Sequence, residues 1–179
     1  MKKLLQTPSQ TVGPYFAYSL TPEQYGYDLT QICDGNIVAE NVVGERIQII
    51  GQVLDGENQP IGDALIELWQ SDIQKVGRFG TGTDKQKRFI FTTVKPKSVE
   101  GQAPHLTVVV MMRGLLVHAY TRLYFSDEAA ANAKDTVLNS VSADRRNTLI
   151  ARLENRNGQK VYAFDIRMQG AQETAFFDV

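Results

Sequence analysis

The chain has 179 residues, 42% of them hydrophobic, and a formal net charge of −1 at pH 7. Such a chain can bury the core of one domain, whereas disordered proteins are less hydrophobic and nucleic-acid-binding proteins carry a basic face. The single cysteine, Cys33, excludes an intrachain disulfide framework, and no apolar stretch is long enough to span a bilayer. The apolar run at Leu4 and Leu5 stops before it forms a signal-peptide core, so we expect a cytoplasmic protein without nucleic-acid or membrane partners.

The first 44 residues are predicted to form an irregular N-terminal arm, because turn-forming residues are frequent and periodicity is weak. The arm contains the segment TPSQTVGPYF, residues 7–16, which carries two prolines and is followed by several aromatic residues. Aromatic side chains are costly to leave in water, so we expect the arm to pack against a surface. The remaining residues, 45–179, are predicted to form the folded core.

The core is predicted to consist of short strands separated by turns. The candidate strands are rich in β-branched and aromatic residues, and they are Arg46–Leu54, Ala64–Trp69, Arg88–Val94, Leu106–Met112, Val117–Phe125, Val161–Met168 and Thr174–Phe177. The glycine-rich segment GRFGTG, residues 77–82, is predicted to be a loop. With two short helices at Ser126–Lys134 and Ser142–Ile150, the pattern indicates an all-β sandwich or barrel.

The residues alone offer few candidates for a catalytic or metal site. The two histidines, His105 and His118, are too few for a zinc site, and single histidines in strands are more often ordinary hydrogen-bonded residues. No phosphate-binding glycine loop and no hydrolase nucleophile motif is present. Asp63 and Glu67 are interpreted as a solvated strand edge, and Cys33 has no basic neighbour in sequence that would activate it as a nucleophile.

Arg113 has two interpretations. If the strand around residues 104–113 stays regular, alternation places Arg113 on the same face as His105, Thr107 and Val109. The arginine then either reaches solvent at the strand end or binds a carboxylate ligand through its planar guanidinium. The residues alone leave both interpretations open and favour the first.

Several segments together resemble the intradiol ring-cleaving dioxygenases. They are TPSQTVGPYF, GERIQIIGQVLDGENQPIGDALIELWQSD, TVKP, APH, RGLLVHAYTRLYFSDEAAANAKDTVLN and FDIRMQGAQETAFFDV, in order along nearly the whole chain. The resemblance is closest to an alpha-type subunit. It implies a β-sandwich of the intradiol dioxygenase type, with an N-terminal arm and two short helices. Members of this family hold ferric iron with two tyrosines and two histidines and cleave catechols with O2.

The family's iron ligands are incomplete in this chain. Where the family has His-x-His after an arginine, this sequence has His105 and Thr107, preceded by Gln102 in place of the arginine. A tyrosine position of the family corresponds to Val99, and no tyrosine occurs between residues 70 and 119. Threonine, valine and glutamine cannot replace imidazole and tyrosinate on a ferric ion. We therefore expect no catalytic residue and no bound metal on this chain alone, with His105, Thr107 and Val99 as vestigial positions.

The resemblance also implies a partner. In enzymes with two kinds of subunit, a beta subunit of the same fold holds Fe(III), and the alpha subunit closes the beta site from across the interface. The matching substrate-binding residues here are Thr11, Gly13, Pro14 and Tyr15 of the arm, and Arg113, which the resemblance assigns to the substrate carboxylate. The implied enzyme is a higher hetero-oligomer of aromatic-compound catabolism, which converts 3,4-dihydroxybenzoate and O2 to 3-carboxy-cis,cis-muconate.

Two other hypotheses remain. The block GQVLDGENQPIGDALIELW would also fit a non-catalytic β-sandwich binding module that has no dioxygenase partner, since fold does not fix function. Such a module would not need the arm, which favours the subunit hypothesis. A self-sufficient catechol dioxygenase would need iron ligands that this chain lacks.

Overall fold

The computed structural model describes residues 13, 15–38 and 42–178. Within these ranges nine strands form: β1 Arg46–Leu54, β2 Leu65–Gln70, β3 Lys75–Gly80, β4 Arg88–Val94, β5 His105–Met111, β6 Ala119–Phe125, β7 Ile150–Arg156, β8 Gln159–Ala163 and β9 Ile166–Arg167. The short helices are α1 Phe16–Leu20, α2 Ala129–Asn132 and α3 Thr136–Ser140, and single 3-10 turns cover Glu23–Tyr25, Ser71–Ile73, Thr81–Thr83 and Arg146–Leu149. No helix in the described ranges is long and apolar enough to cross a membrane.

The strands follow the order β3-β2-β5-β6-β7-β8-β1-β4, and β9 pairs with the end of β1. Most neighbours are antiparallel, while β6 with β7, and β1 with both β8 and β9, are parallel. Side chains of β2, β5 and β6 enter the same hydrophobic core as those of β1 and β4. The two halves of the sheet therefore pack face to face, and the predicted all-β sandwich is confirmed.

Strand β1 illustrates why the core strands form where the sequence predicts them. Alternation buries Ile47, Ile49 and Val53 completely, while Gln48 and Gln52 on the other face remain half-buried. Burying one such aliphatic side chain stabilises the fold by about 1.5–3 kcal/mol. The predicted bounds of β1 and of β4 agree with the structure to the residue.

The described part of the N-terminal segment packs along β3, which lies at one end of the sheet. The side-chain amide of Gln24 donates to the Gly80 carbonyl oxygen at 2.7 Å and accepts from the Gly80 N–H at 2.9 Å. The Arg78 N–H donates to the Asp34 carbonyl oxygen at 2.9 Å. These bonds satisfy an edge strand that would otherwise be open to pairing with another chain. The sequence did not predict α1 or the 3-10 turn in this segment, and the domain boundary at residue 44 stays a prediction.

The glycine-rich segment is largely a strand, so its prediction as a loop is wrong. Strand β3 pairs with β2 along its whole length. Its glycines allow the N-terminal segment to lie against it: a Cβ at Gly77 would be 2.6 Å from the Ile37 side chain, and one at Gly80 would be 2.5 Å from the Tyr25 hydroxyl. Strand propensity does not predict β3, because glycine is a poor strand former. At these positions it permits the close approach of the N-terminal segment.

Two predicted strands near the C-terminus are wrong in extent. The segment Val161–Met168 is divided, since residues 164 and 165 separate β8 from β9. The segment Thr174–Phe177 forms no regular strand within the described residues and makes a single bridge from Phe177 to Tyr120. Strand β7 was missed altogether.

The predicted helices are also shorter than expected. The first is reduced to α2, and the following α3 was missed, although Asp135 caps it by accepting the Leu138 N–H at 2.7 Å. The second, Ser142–Ile150, contains a 3-10 turn that leads directly into β7. A β-branched residue at Ile150 starts the strand and ends the helical turn.

Candidate functional site

The outer face of β2, β5 and β6 is concave. A depression of about 380 Å³ is lined by Glu67, Trp69, Ser71, Thr107, Val109, Met111, His118 and Tyr120. A second depression of about 470 Å³ continues from Thr107 and Tyr120 towards Arg122 and Phe177. The vestigial position Thr107 therefore lies on an open face of the sheet, opposite the core.

Arg122 lies directly across from Thr107 in the pairing of β5 with β6. Its guanidinium donates to Oε1 of Gln102 at 2.6 Å and approaches the Tyr124 hydroxyl at 3.3 Å. Gln102 is the residue that the resemblance matches to an arginine of the family. A cation thus lies beside Thr107, which the resemblance matches to the family's second histidine.

The neighbouring polar groups are held by one carboxylate. Asp135 accepts hydrogen bonds from the Ala103 N–H at 2.8 Å and from the Tyr124 hydroxyl at 3.1 Å. Burial raises the pKa of Tyr124 to about 12, so this phenol stays protonated.

Burial lowers the pKa of His105, whose Nδ1 lies 2.8 Å from the Ala103 carbonyl oxygen. Val99 lies in the tight turn that its carbonyl oxygen closes with the Gln102 N–H.

The side chains at the vestigial positions do not fit a ferric ion. His105 offers a single imidazole, and Thr107 and Val99 offer no strong ligand for iron. The Arg122 guanidinium adds a positive charge where a cation would bind. Among the residues that the structure describes, no group of three or more His, Cys, Asp or Glu side chains could hold a metal ion.

Glu67 is buried, which makes its interpretation as part of a solvated edge wrong. Its Oε2 lies 2.6 Å from Nε of Arg78, and its Oε1 accepts the Trp69 indole N–H at 2.5 Å. The half-buried Cys33 lies near the same groups. Burial raises the pKa of its thiol although the nearby Arg78 opposes this, so the thiolate is disfavoured.

Arg113 lies beyond β5, because the strand ends at Met111 and does not stay regular to residue 113. Its side chain is 70% exposed, and its Nε lies 2.8 Å from Oδ2 of Asp63, whose side chain is only 16% exposed. That oxygen is buried and accepts no hydrogen bond from the described residues, so the contact is a close ion pair without hydrogen-bond geometry. Asp63, like Glu67, is therefore not a solvated edge residue.

Two of the four predicted arm residues are described. Tyr15 is 77% exposed, and its ring centroid lies 6.1 Å from that of Tyr18. Gly13 has a φ of 81°, which favours glycine at this position. Thr11 and Pro14 lie outside the described residues.

Sequence reasoning missed Arg122 and the partnership of Asp63 with Arg113. Both depend on strand register. Thr107 pairs with Arg122, and Leu65 pairs with Met111. Asp63 lies two residues before Leu65 and Arg113 lies two residues after Met111. Aligning the predicted β2, β5 and β6 segments as an antiparallel sheet would have brought these pairs together.

Curated relatives match the chain over all or nearly all of its length. The protocatechuate 3,4-dioxygenase alpha chain of Burkholderia cepacia is 51% identical over an alignment of 197 positions, which covers 100% of both chains. The alpha chain of Pseudomonas putida is 39% identical over 98% of this chain and 97% of its own. The beta chain of Burkholderia cepacia is 28% identical over 74% of this chain and 68% of its own.

Solved structures share the fold. An intradiol ring-cleavage dioxygenase from Tetranychus urticae has a TM-score of 0.60 at 14% identity and covers 92% of this chain and 94% of its own. The dioxygenase domain of a carbohydrate-binding fusion from Streptomyces sp. SirexAA-E has a TM-score of 0.59 at 17% identity, over 80% of this chain and 89% of its own. No protein-family model matches the sequence. The full-length identities decide the assignment, and the chain belongs to the family of protocatechuate 3,4-dioxygenase alpha chains.

Proposed function

We propose that this chain is the alpha subunit of an enzyme that cleaves 3,4-dihydroxybenzoate with O2 between its two hydroxyl-bearing carbons, giving 3-carboxy-cis,cis-muconate. The observation that carries the proposal is the identity of 51% and 39% to two proteins named alpha chains, over essentially complete sequences. The weaker likeness to a beta chain supports a partner of related fold. We place the assembled enzyme in the cytoplasm as a higher hetero-oligomer of both chains.

We assign the Fe(III) to the beta subunit. The donor set at His105, Thr107 and Val99 supports this assignment, because these residues supply one good ligand instead of four. Thr107 also lies beside the charged Arg122. A relative of the same fold that keeps the complete ligand set would provide the iron. This chain would then contribute a wall of the substrate cavity and the surface that meets the partner.

We assign substrate contacts to Arg113 and to Thr11, Gly13, Pro14 and Tyr15 of the arm. The exposure of Arg113 and Tyr15 supports this role, since both present a polar or aromatic group outwards. A guanidinium suits the carboxylate of the substrate, and an aromatic ring suits its catechol ring. The residues would act from outside the iron's own subunit.

Iron stoichiometry tests the proposal in the assembled enzyme. Co-expression with a candidate beta chain should give a red, active complex with one iron per alpha–beta pair, because tyrosinate bound to ferric iron absorbs visible light. The chain expressed alone should be colourless and inactive. Two irons per pair, or a tightly held iron with ring-opening activity in the isolated chain, would contradict it.

A further inference from the structure

Asp63 and Arg113 form an ion pair at the end of the sheet where β2 begins and β5 ends. β2 and β5 pair Leu65 with Met111, and the ion pair lies just beyond them, since Asp63 is two residues before Leu65 and Arg113 two residues after Met111. Gly82 follows the end of β3 and lies against the segment before β2, because a Cβ at Gly82 would be 2.8 Å from the Gly62 carbonyl oxygen. Gly82, Asp63 and Arg113 therefore lie in one row across three neighbouring chain segments.

The aromatic part of the arm reaches the same row. The Gly82 N–H donates to the Tyr25 hydroxyl at 3.3 Å, and a Cβ at Gly82 would approach that oxygen to 2.8 Å. Burial raises the pKa of Tyr25, and the Asp63 carboxylate acts in the same direction. Tyr25 packs on Tyr18 with ring centroids 4.3 Å apart, and Tyr18 in turn contacts Tyr15.

In this row, Asp63 can hold Arg113 in place while Arg113 binds a carboxylate. Asp63 is close to Nε of Arg113, while the two terminal guanidinium nitrogens form a separate edge that can bind a second carboxylate in bidentate fashion. Arg113 is largely exposed and long, so without Asp63 its side chain would sample many rotamers. A buried partner that restricts those rotamers lowers the entropic cost of binding the substrate.

We propose that Asp63 is a positioning residue, which holds the Arg113 guanidinium beside the aromatic arm so that arginine and arm meet the substrate as one preformed surface. This inference rests on the proposed function, because it requires Arg113 to face the substrate carboxylate. Asp63 touches no substrate itself and acts through Arg113. Its loss affects recognition of the carboxylate and leaves the cleavage step unchanged.

The test compares two substrates in the assembled alpha–beta enzyme: 3,4-dihydroxybenzoate, and catechol, which lacks the carboxylate. Asp63→Asn should raise KM for 3,4-dihydroxybenzoate about fivefold, with kcat and the KM for catechol little changed, because one positioning contact is lost. Arg113→Ala, which removes the recognition group itself, should raise the same KM roughly thirtyfold. In the Arg113→Ala background, Asp63→Asn should add nothing further.

Several outcomes would overturn the inference, and they are distinguishable from failure of the proposed function. A rise in KM for Arg113→Ala with no change for Asp63→Asn leaves the function standing and removes Asp63 from it. A fall in KM for Asp63→Asn makes Asp63 a competitor of the substrate carboxylate instead of a support. An unchanged KM for Arg113→Ala removes both residues from recognition. If Asp63→Asn reduces the yield of folded complex, Asp63→Glu takes its place. It must raise KM for 3,4-dihydroxybenzoate while leaving KM for catechol little changed. A KM for 3,4-dihydroxybenzoate equal to that of the wild type overturns the role of Asp63.

Discussion

Asp135 is a buried carboxylate that its hydrogen bonds keep ionised. Burial alone would raise its pKa, but the N–H groups of Leu138 and Ala103 and the hydroxyl of Tyr124 donate to it and lower the pKa overall. These bonds cap α3, fix the chain just before β5 and satisfy a buried phenol. One side chain thereby connects α3, the chain before β5, and β6 beside the vestigial positions.

We expect Asp135→Asn to lower the free energy of unfolding at pH 7 by about 1–3 kcal/mol, because buried hydrogen-bond donors lose a charged acceptor. The folded-state pKa of Asp135 is lowered, so its contribution is fully present above the unfolded value of about 4. It is lost progressively as pH falls from there through the lower folded-state pKa. The difference between variant and wild type should therefore shrink in acid. Denaturant unfolding of the assembled protein at several pH values measures it.

The exposed Asp144 provides the control for this prediction. Asp144→Asn makes the same chemical change without removing a buried acceptor and should change stability by less than about 0.5 kcal/mol. A difference for Asp135→Asn that does not depend on pH between 7 and 3 would show that the charge of Asp135 is not what stabilises the site.

At the scale of elements, β3 and the N-terminal segment depend on each other. Glycines at residues 77 and 80 of the strand, and at residue 82 just after it, leave room for the segment. The segment covers the strand's open edge through Gln24 and Asp34. Neither element would be well formed without the other, since the segment has few contacts of its own and a glycine-rich edge strand is weak.

We expect Gly77→Ala to destabilise the protein by about 1–3 kcal/mol, because the new Cβ would lie 2.6 Å from the Ile37 side chain and 2.8 Å from the Asp34 backbone oxygen. The N-terminal segment would have to move away from β3. Thermal unfolding should show a lower Tm, by about 2–4 °C for each kcal/mol lost. The KM for the carboxylated substrate should also rise, since the segment carries Tyr15.

Gly62→Ala is the matched control for the glycine substitution. A Cβ at Gly62 would approach the flexible Lys87 side chain no closer than 3.4 Å, which is an ordinary contact. A Tm equal to or above that of the wild type is expected there. If both alanine variants lowered Tm to the same extent, close packing of the N-terminal segment on β3 would not explain the loss.

The elements that could be predicted from sequence are those whose own residues favour the observed secondary structure. Strands β1 and β4 were predicted to the residue because β-branched and aromatic residues fill both the strand and the core. Strand β3 was missed because its glycines make room for side chains of the N-terminal segment, which is distant in sequence. Helix α3 was missed because its cap, Asp135, is one of several aspartates and its burial becomes apparent only when β5 and β6 pack beside it.

At the scale of the whole molecule, large apolar side chains are exposed on the N-terminal segment. Ile32 is 87% exposed, and Tyr15, Tyr27 and Leu29 are each more than half exposed. A cluster of this kind on one stretch of chain is characteristic of a surface that meets another protein. With a beta chain among the relatives, the partner chain is the expected occupant.

We expect Ile32→Asp to weaken association with the beta chain by at least tenfold, because burying an isoleucine side chain contributes about 1.5–3 kcal/mol and an aspartate could not replace it. Val43→Asp makes a comparable change at a side chain that is 93% exposed and lies outside residues 15–32. Sedimentation of mixtures at decreasing concentration measures the association. Equal weakening by both variants would argue against residues 15–32 as the contact surface, because Val43 lies in the arm beyond them.

The sequence alone predicted the sandwich and the likeness to alpha-type subunits, and the resemblance indicated an incomplete iron ligand set. Strand patterns and ligand identities are properties of individual residues, so the linear order of residues is enough to state them. The tertiary structure decided that Arg122 lies beside Thr107 and that Asp63 is paired with Arg113. Those contacts depend on which residues the sheet register brings together, and register is set by burial of all the strands at once.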